Sequence, residues 1–230
     1  MLYKNTVSPA MWELMHTLMK DEILQDFVMV GGTALSLRIG HRMSVDIDLF
    51  SVNNFDAQST LRYLENRYGA ETSQYNTNSI MTFINDIKVD LVSHKYPYVK
   101  PVEAIENIRI ISIEDIGAMK LHAIVQSGKR YKDFVDMYYL LEYNPLQTYL
   151  SAYQKKYNTN PYIARNGLLY HDNIISFQGV ETPDGKEIKW NVVKERLRKA
   201  NINIGAQFKS IGKKQENINP AWSKRKGFRR

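Results

Sequence analysis

Residues 45–50 read Val-Asp-Ile-Asp-Leu-Phe. Strict alternation of acid and hydrocarbon is the period of a β-strand, in which side chains i and i+2 point to one face. Asp46 and Asp48 therefore stand side by side, while Ile47 and Leu49 turn the other way into a core. Adjacent carboxylates repel, and apolar flanks deny them solvent, so the pair calls for a positive charge between them. A divalent cation such as Mg2+ or Mn2+, bound through carboxylate and substrate phosphate oxygens, meets that need. Taken alone, the pattern is about equally at home on a solvated strand face.

Two further elements sharpen the reading. The apolar run at 27–30 reads as a buried strand that stops at Gly31-Gly32-Thr33, and a short helix follows at 33–39, closed by Gly40. Glycines allow close backbone approach, and a helix start offers free N–H groups and the positive end of its dipole. Gly31, Gly32 and the Thr33 hydroxyl together suit a nucleotide phosphate. Asp90 is the second element, a lone acid in the apolar run Val-Asp-Leu-Val. An unpaired charge there is costly, so Asp90 either completes a metal site with Asp46 and Asp48 or pairs with a cation.

The remaining chain predicts helices and strands in alternation. Ser8 caps a helix opened by Pro9, with Met11, Leu14, Met15, Leu18 and Met19 at core spacing. A helix at 56–68 ends at Gly69. Strands at 80–84 and 87–92 join through Asn85-Asp86, and another lies at 108–111. Ser112 and Asp115 form a capping box for a helix to about residue 126, and a second helix runs over 130–143. Helices at 146–157 and 190–200 follow, with an irregular stretch at 174–189 between them. The expectation is an α/β (α+β) fold: a mixed sheet flanked by helices, then a mostly helical C-terminal part. The expected boundaries are a catalytic core over 1–111, a helical region over 112–200 and a basic tail over 201–230.

The motif GGTALSLRIGHRMSVDIDLF resembles the AbiEii/AbiGii toxin-like nucleotidyltransferases, within the DNA polymerase β-like superfamily. That pattern is a Gly-Gly or Gly-Ser, a spacer of about ten residues, Asp-x-Asp on the next strand and a third acid on a later one. The segment IEDIGAMKLHAIVQSGKRYKDFVDMYYLL extends the likeness, with Lys120 on one helix and Arg130, Lys132, Asp133 and Asp136 on the next. The resemblance implies a nucleotidyltransferase fold and transfer of NMP from an NTP to an acceptor hydroxyl. The metal ligands would be Asp46, Asp48 and Asp90. Lys120, Arg130 and Lys132 would meet phosphate charge, and Asp133 would orient those cations or act as a base. Surface ion pairing is the plainer account of the 130–136 cluster, and it gains ground at Asp136. His41-Arg42 is read as a phosphate contact or a loop cap, Ser44 as shaping the same turn, and His122 as structural; His94 and His171 lack metal-ligand spacing.

Composition bounds the partners. The absence of cysteine excludes disulfides and thiolate chemistry, and the net charge of +7 leans toward RNA as acceptor; the resemblance implies tRNA in particular. The C-terminal basic run from Lys213 is either an RNA contact or a solvated tail. No leader and no membrane-spanning run is read, so the expectation is a cytoplasmic protein without a membrane partner. The resemblance also implies a protein acceptor as an option, and an antitoxin partner. Two other readings stay open: a small-molecule, aminoglycoside-type nucleotidyltransferase, and a non-catalytic nucleotide- or RNA-binding module.

Overall fold

The computed structural model describes residues 1–177, 179–185 and 188–209; the basic run from Lys213 lies outside them. The first helix, α1 (Pro9–Lys20), starts where Ser8 Oγ accepts from the Met11 N–H at 3.1 Å, and its five predicted apolar positions are all buried. Strand β1 (Val28–Met29) leads straight into α2 (Gly31–Ile39), which includes both glycines in its first turn and ends at Gly40 in the left-handed conformation. Strand β2 (Asp46–Ser51) and helix α3 (Ala57–Tyr68) follow, then β3 (Glu71–Asn76), β4 (Ser79–Ile84) and β5 (Ile87–Ser93). A small hairpin, β6 (Glu103–Ile105) and β7 (Ile108–Ile110), closes the sheet.

The strand order is β3-β4-β5-β2-β1-β7-β6. β2 runs parallel to β5 and β1 parallel to β7, and the other neighbours are antiparallel. β2 thus occupies the middle of a mixed sheet. Ile47, Leu49, Val89 and Leu91 are wholly buried on one face, and the alternation turns Asp46, Asp48 and Asp90 to the other. Register places Asp48 directly beside Asp90 and Asp46 beside Lys88. A slip of one residue would turn every one of these acids into the core.

After the sheet come α4 (Ile113–Gln126), α5 (Tyr131–Leu140), α6 (Leu146–Tyr157), α7 (Pro161–Gly167) and α8 (Trp190–Ile202). α4 packs against α2, α5, α6 and α7, so it joins the sheet-bearing part to the helical part. The architecture is the expected α/β arrangement with a helical C-terminal part. No described helix is long and apolar enough to cross a membrane.

Three elements escaped sequence reading for identifiable reasons. β3 is polar and lies at the sheet edge, so it carries little alternation. The β6–β7 turn uses Glu106 and Asn107 at φ 51° and 62°, the geometry of the Asn85-Asp86 turn without its residue signature. α7 opens on an Asn160 cap and Pro161, but seven residues are too few to show periodicity. Among its described residues the stretch 174–189 is irregular, as expected, and Ser176 bridges to Arg130.

Candidate active site

The acidic face of β2 opens onto a cleft of about 240 Å³, lined among others by Gly32, Ser44, Asp46, Asp48, Arg130 and Lys132, and Asp90 of β5 stands beside Asp48 in register. The irregular segment supplies one wall through Gly179 and Glu181, and the Glu181 carbonyl accepts from the Met43 N–H at 2.7 Å. Burial pushes the Asp48 carboxyl up to about 6; Lys120 opposes the rise, while Asp90 and Asp46 add to it. Asp90 Oδ2 accepts from Lys88 Nζ at 2.5 Å, and its buried Oδ1 has no hydrogen-bond partner.

Those observations fit a divalent cation. Clustered carboxylates, one held toward protonation by burial and one with an orphaned oxygen, are oxygen donors short of a positive charge. Among the described residues, no three acidic or histidine side chains already converge on one point. Asp90 is turned toward Lys88 instead.

The glycines do distinct work. Gly31 has φ +71°, and a β-carbon there would collide with the Asp48 carboxylate. A β-carbon at Gly32 would collide with the Arg42 guanidinium. The turn therefore sits against both an acid and a cation, and no side chain caps the start of α2. Thr33 corrects its expected role: its buried hydroxyl is shared with Ser44 Oγ at 2.8 Å and bonds the Asp46 carbonyl. It is a strut between α2 and β2.

A buried ionic cluster stands behind the acids. Lys120 Nζ on α4 contacts Asp133 Oδ1 at 2.8 Å and Asp136 Oδ2 at 2.7 Å, both on α5. Arg42 grips Asp136 through Nε at 2.7 Å and Nη2 at 3.1 Å, and His41 Nε2 meets the same carboxylate at 2.7 Å. Burial raises the Asp136 pKa, but Arg42, Lys120 and the His41 hydrogen bond outweigh it and hold the group well below the usual carboxylate range. Burial also pulls His41 down, and Arg42 and Lys120 reinforce that against Asp136, so the ring is neutral near pH 7. Nε2 then carries the proton, and Nδ1 is left without a partner.

This arrangement revises several expectations. Asp136 is not a surface ion pair but the most enclosed member of the cluster. His41 and Arg42 are turned onto it, and Arg42 also lines the cleft beside Gly32. Lys120 is buried between two carboxylates, so it acts on Asp48 through its field rather than as an exposed phosphate hand. Arg130 remains exposed, 3.7 Å from Asp133, and Lys132 lines the cleft with its pKa lowered by burial and by Arg42.

A model of the family described as "Nucleotidyl transferase AbiEii toxin, Type IV TA system" matches residues 13–214. The chain belongs to the AbiEii family. An uncharacterised protein of Aquifex aeolicus is 32% identical to this AbiEii member over 123 residues, covering 52% of the chain and 59% of that relative. The chain thus spans about three-fifths of that relative's length. Among solved structures, JHP933 from Helicobacter pylori aligns with 16% identity and a TM-score of 0.47, covering 85% of this chain and 90% of that one. A Megavirus polyadenylate synthase aligns with 18% identity and a TM-score of 0.40, over 56% and 30% of the two chains.

Proposed function

We propose that this AbiEii-family chain transfers a nucleoside monophosphate from an NTP to an acceptor hydroxyl on RNA, with tRNA the first candidate, and that it is the toxin of a toxin–antitoxin pair. The observation that carries this reading is the shared face of Asp46, Asp48 and Asp90, with Asp46 and Asp48 lining a cleft that also holds Gly32, Arg130 and Lys132.

Asp46, Asp48 and Asp90 would hold Mg2+ or Mn2+, which when bound screens the triphosphate and polarises the α-phosphate. The residues of the chain divide the remaining work. Gly31 and Gly32 bring the start of α2 against phosphate oxygens, where N–H groups and dipole favour negative charge. Arg130 and Lys132 hold the β- and γ-phosphates. Lys120, fixed by Asp133 and Asp136, keeps a positive field behind Asp48. The acceptor oxygen forms a bond to the α-phosphorus as the bond to the β-phosphate oxygen breaks, and pyrophosphate leaves. The acceptor proton passes to Asp90. In this scheme residues 1–111 form the catalytic core, and residues 112–200 supply Lys120, Arg130, Lys132 and Asp133. The net charge of +7 supports a polyanionic acceptor.

The test is incubation with each labelled NTP, Mg2+ and total RNA, beside Asp48→Ala. Label should enter RNA with the wild type alone. Absence of transfer to RNA, protein or small acceptors despite nucleotide binding would overturn the enzyme reading, and equal labelling by the variant would overturn the site.

A further inference from the structure

The acidic row on β2 continues into aromatic surface. Phe50 follows Asp46 and Asp48 on the same face, and beyond Val92 of β5 the chain keeps its course, with the His94 N–H bonded to the Ser51 carbonyl at 2.7 Å. The Phe50 and His94 rings lie 5.6 Å apart, His94 and Tyr96 4.9 Å, and Tyr96 and His122 of α4 6.3 Å. Phe50, His94 and His122 are half-buried, and Tyr96 is 39% exposed.

A second, buried layer fixes this one. Tyr157 of α6 stacks on His122 at 4.0 Å with 10° between the planes and packs edge-on against Tyr96 at 4.7 Å and His94 at 5.8 Å. Tyr153 adds contacts to both Tyr157 and His122. His122 Nδ1 is buried with no partner, and burial with the nearby Lys156 charge lowers His94 to about 4, so that ring is uncharged at neutral pH. Neutral, half-open rings on a rigid aromatic backing present flat π-faces at little ordering cost.

Their position selects the occupant. The cleft with Gly32, Arg130 and Lys132 opens around Asp46, at the N-terminal end of β2, whereas the rings begin at Phe50, on the far side of Asp48. Phosphoryl transfer sets the attacking and leaving oxygens roughly in line. If pyrophosphate departs toward Arg130 and Lys132, the acceptor enters from the aromatic side.

We propose that Phe50, His94, Tyr96 and His122 form the acceptor-base platform, on which a base of single-stranded RNA stacks and sets its ribose hydroxyl over Asp48 and Asp90. This rests on the reading of the chain as an RNA nucleotidyltransferase. The probe is a short single-stranded oligoribonucleotide ending in 2-aminopurine, whose fluorescence falls on stacking. The wild type should quench it, and Tyr96→Phe should do the same. Tyr96→Leu, at an exposed position and with an unchanged melting temperature, should weaken its binding on the order of ten-fold while leaving the Kd for each NTP unchanged.

Loss of NTP affinity in Tyr96→Leu with oligonucleotide binding intact would overturn the assignment and give the platform to the donor base. Labelling of RNA by wild type without any quenching would overturn it as well. Quenching without NMP transfer would support the platform while sinking the activity on which it was placed.

Discussion

Lys120 and Asp136 meet at 2.7 Å with both side chains sealed from solvent, and Asp136 is shared with Arg42 and His41 from the other half of the chain. Removing one partner of a buried pair leaves the other charged and uncompensated, which costs about 3–5 kcal/mol. Asp136→Asn should therefore lower stability by about that amount, and chemical denaturation would measure it. A loss under ~1 kcal/mol would show that the cluster is hydrated.

Asp48→Asn is expected to separate stability from activity. Burial raises the Asp48 pKa from 3.8 to about 6, so the folded state disfavours the charged form. For a raised carboxylate, stability falls as pH rises from 3.8 through about 6, and the penalty is complete above that. Asparagine removes it. The variant should melt higher than wild type at pH 8 in EDTA, with the gain shrinking toward pH 4, yet lose NMP transfer by about 100-fold or more. Mg2+ should raise the melting temperature of the wild type only.

The histidines give the opposite pH sign. The His41 pKa lies below 6.5 because of burial first, with Arg42 and Lys120 adding to the effect. A lowered histidine contributes stability that is full above about 6.5 and drains as pH falls toward its folded value. His94, lowered to about 4, and His122 act in the same direction. Melting temperature should therefore decline on acidification from pH 6.5, less steeply in His41→Gln. Identical slopes would mean that His41 is already charged in the fold.

Gly31→Ala should damage the site more than the fold. The left-handed backbone alone costs on the order of 1 kcal/mol for alanine, and the new methyl collides with Asp48. Activity should fall by more than about ten-fold with the melting temperature lowered only a few degrees. Crystals or NMR shifts showing Asp48 unmoved would refute the collision.

Lys132→Ala tests the cleft by itself. Lys132 lines it beside Gly179, with its pKa lowered by burial. Nucleotide affinity should drop about ten-fold, with unfolding stability within about 0.5 kcal/mol of wild type. Unchanged affinity for every NTP would remove Lys132 from the phosphate site.

The sheet centre was legible because Asp46 and Asp48 obey period two and Gly31-Gly32 punctuate the chain just before them. The capped helices, Ser8 and Ser112 at their starts, were legible for the same local reason. The ionic cluster was only half visible. Asp136 stands among Phe134, Val135, Met137 and Tyr138, an apolar setting that argues for enclosure, but its partners Arg42 and His41 are far away in sequence and no spacing rule connects them. The aromatic cluster was invisible to pattern: His94 lacks ligand spacing, His122 reads as structural, and their shared neighbour Tyr157 lies on a third element. Thr33 was misjudged because a hydroxyl at a helix start can bond inward as readily as outward, and only the position of Ser44 decides.

The span between Arg42 and Asp136 also governs when the site first exists during synthesis. A growing chain emerges from the ribosome amino end first, so the strands bearing Asp46, Asp48 and Asp90 are exposed before Lys120 and Asp136. Until α4 and α5 emerge, the acids have Lys88 beside Asp90 but not Lys120, and Arg42 lacks the Asp136 carboxylate that grips it. The buried cluster of Arg42, Lys120 and Asp136 is therefore completed only once the helical half has been made.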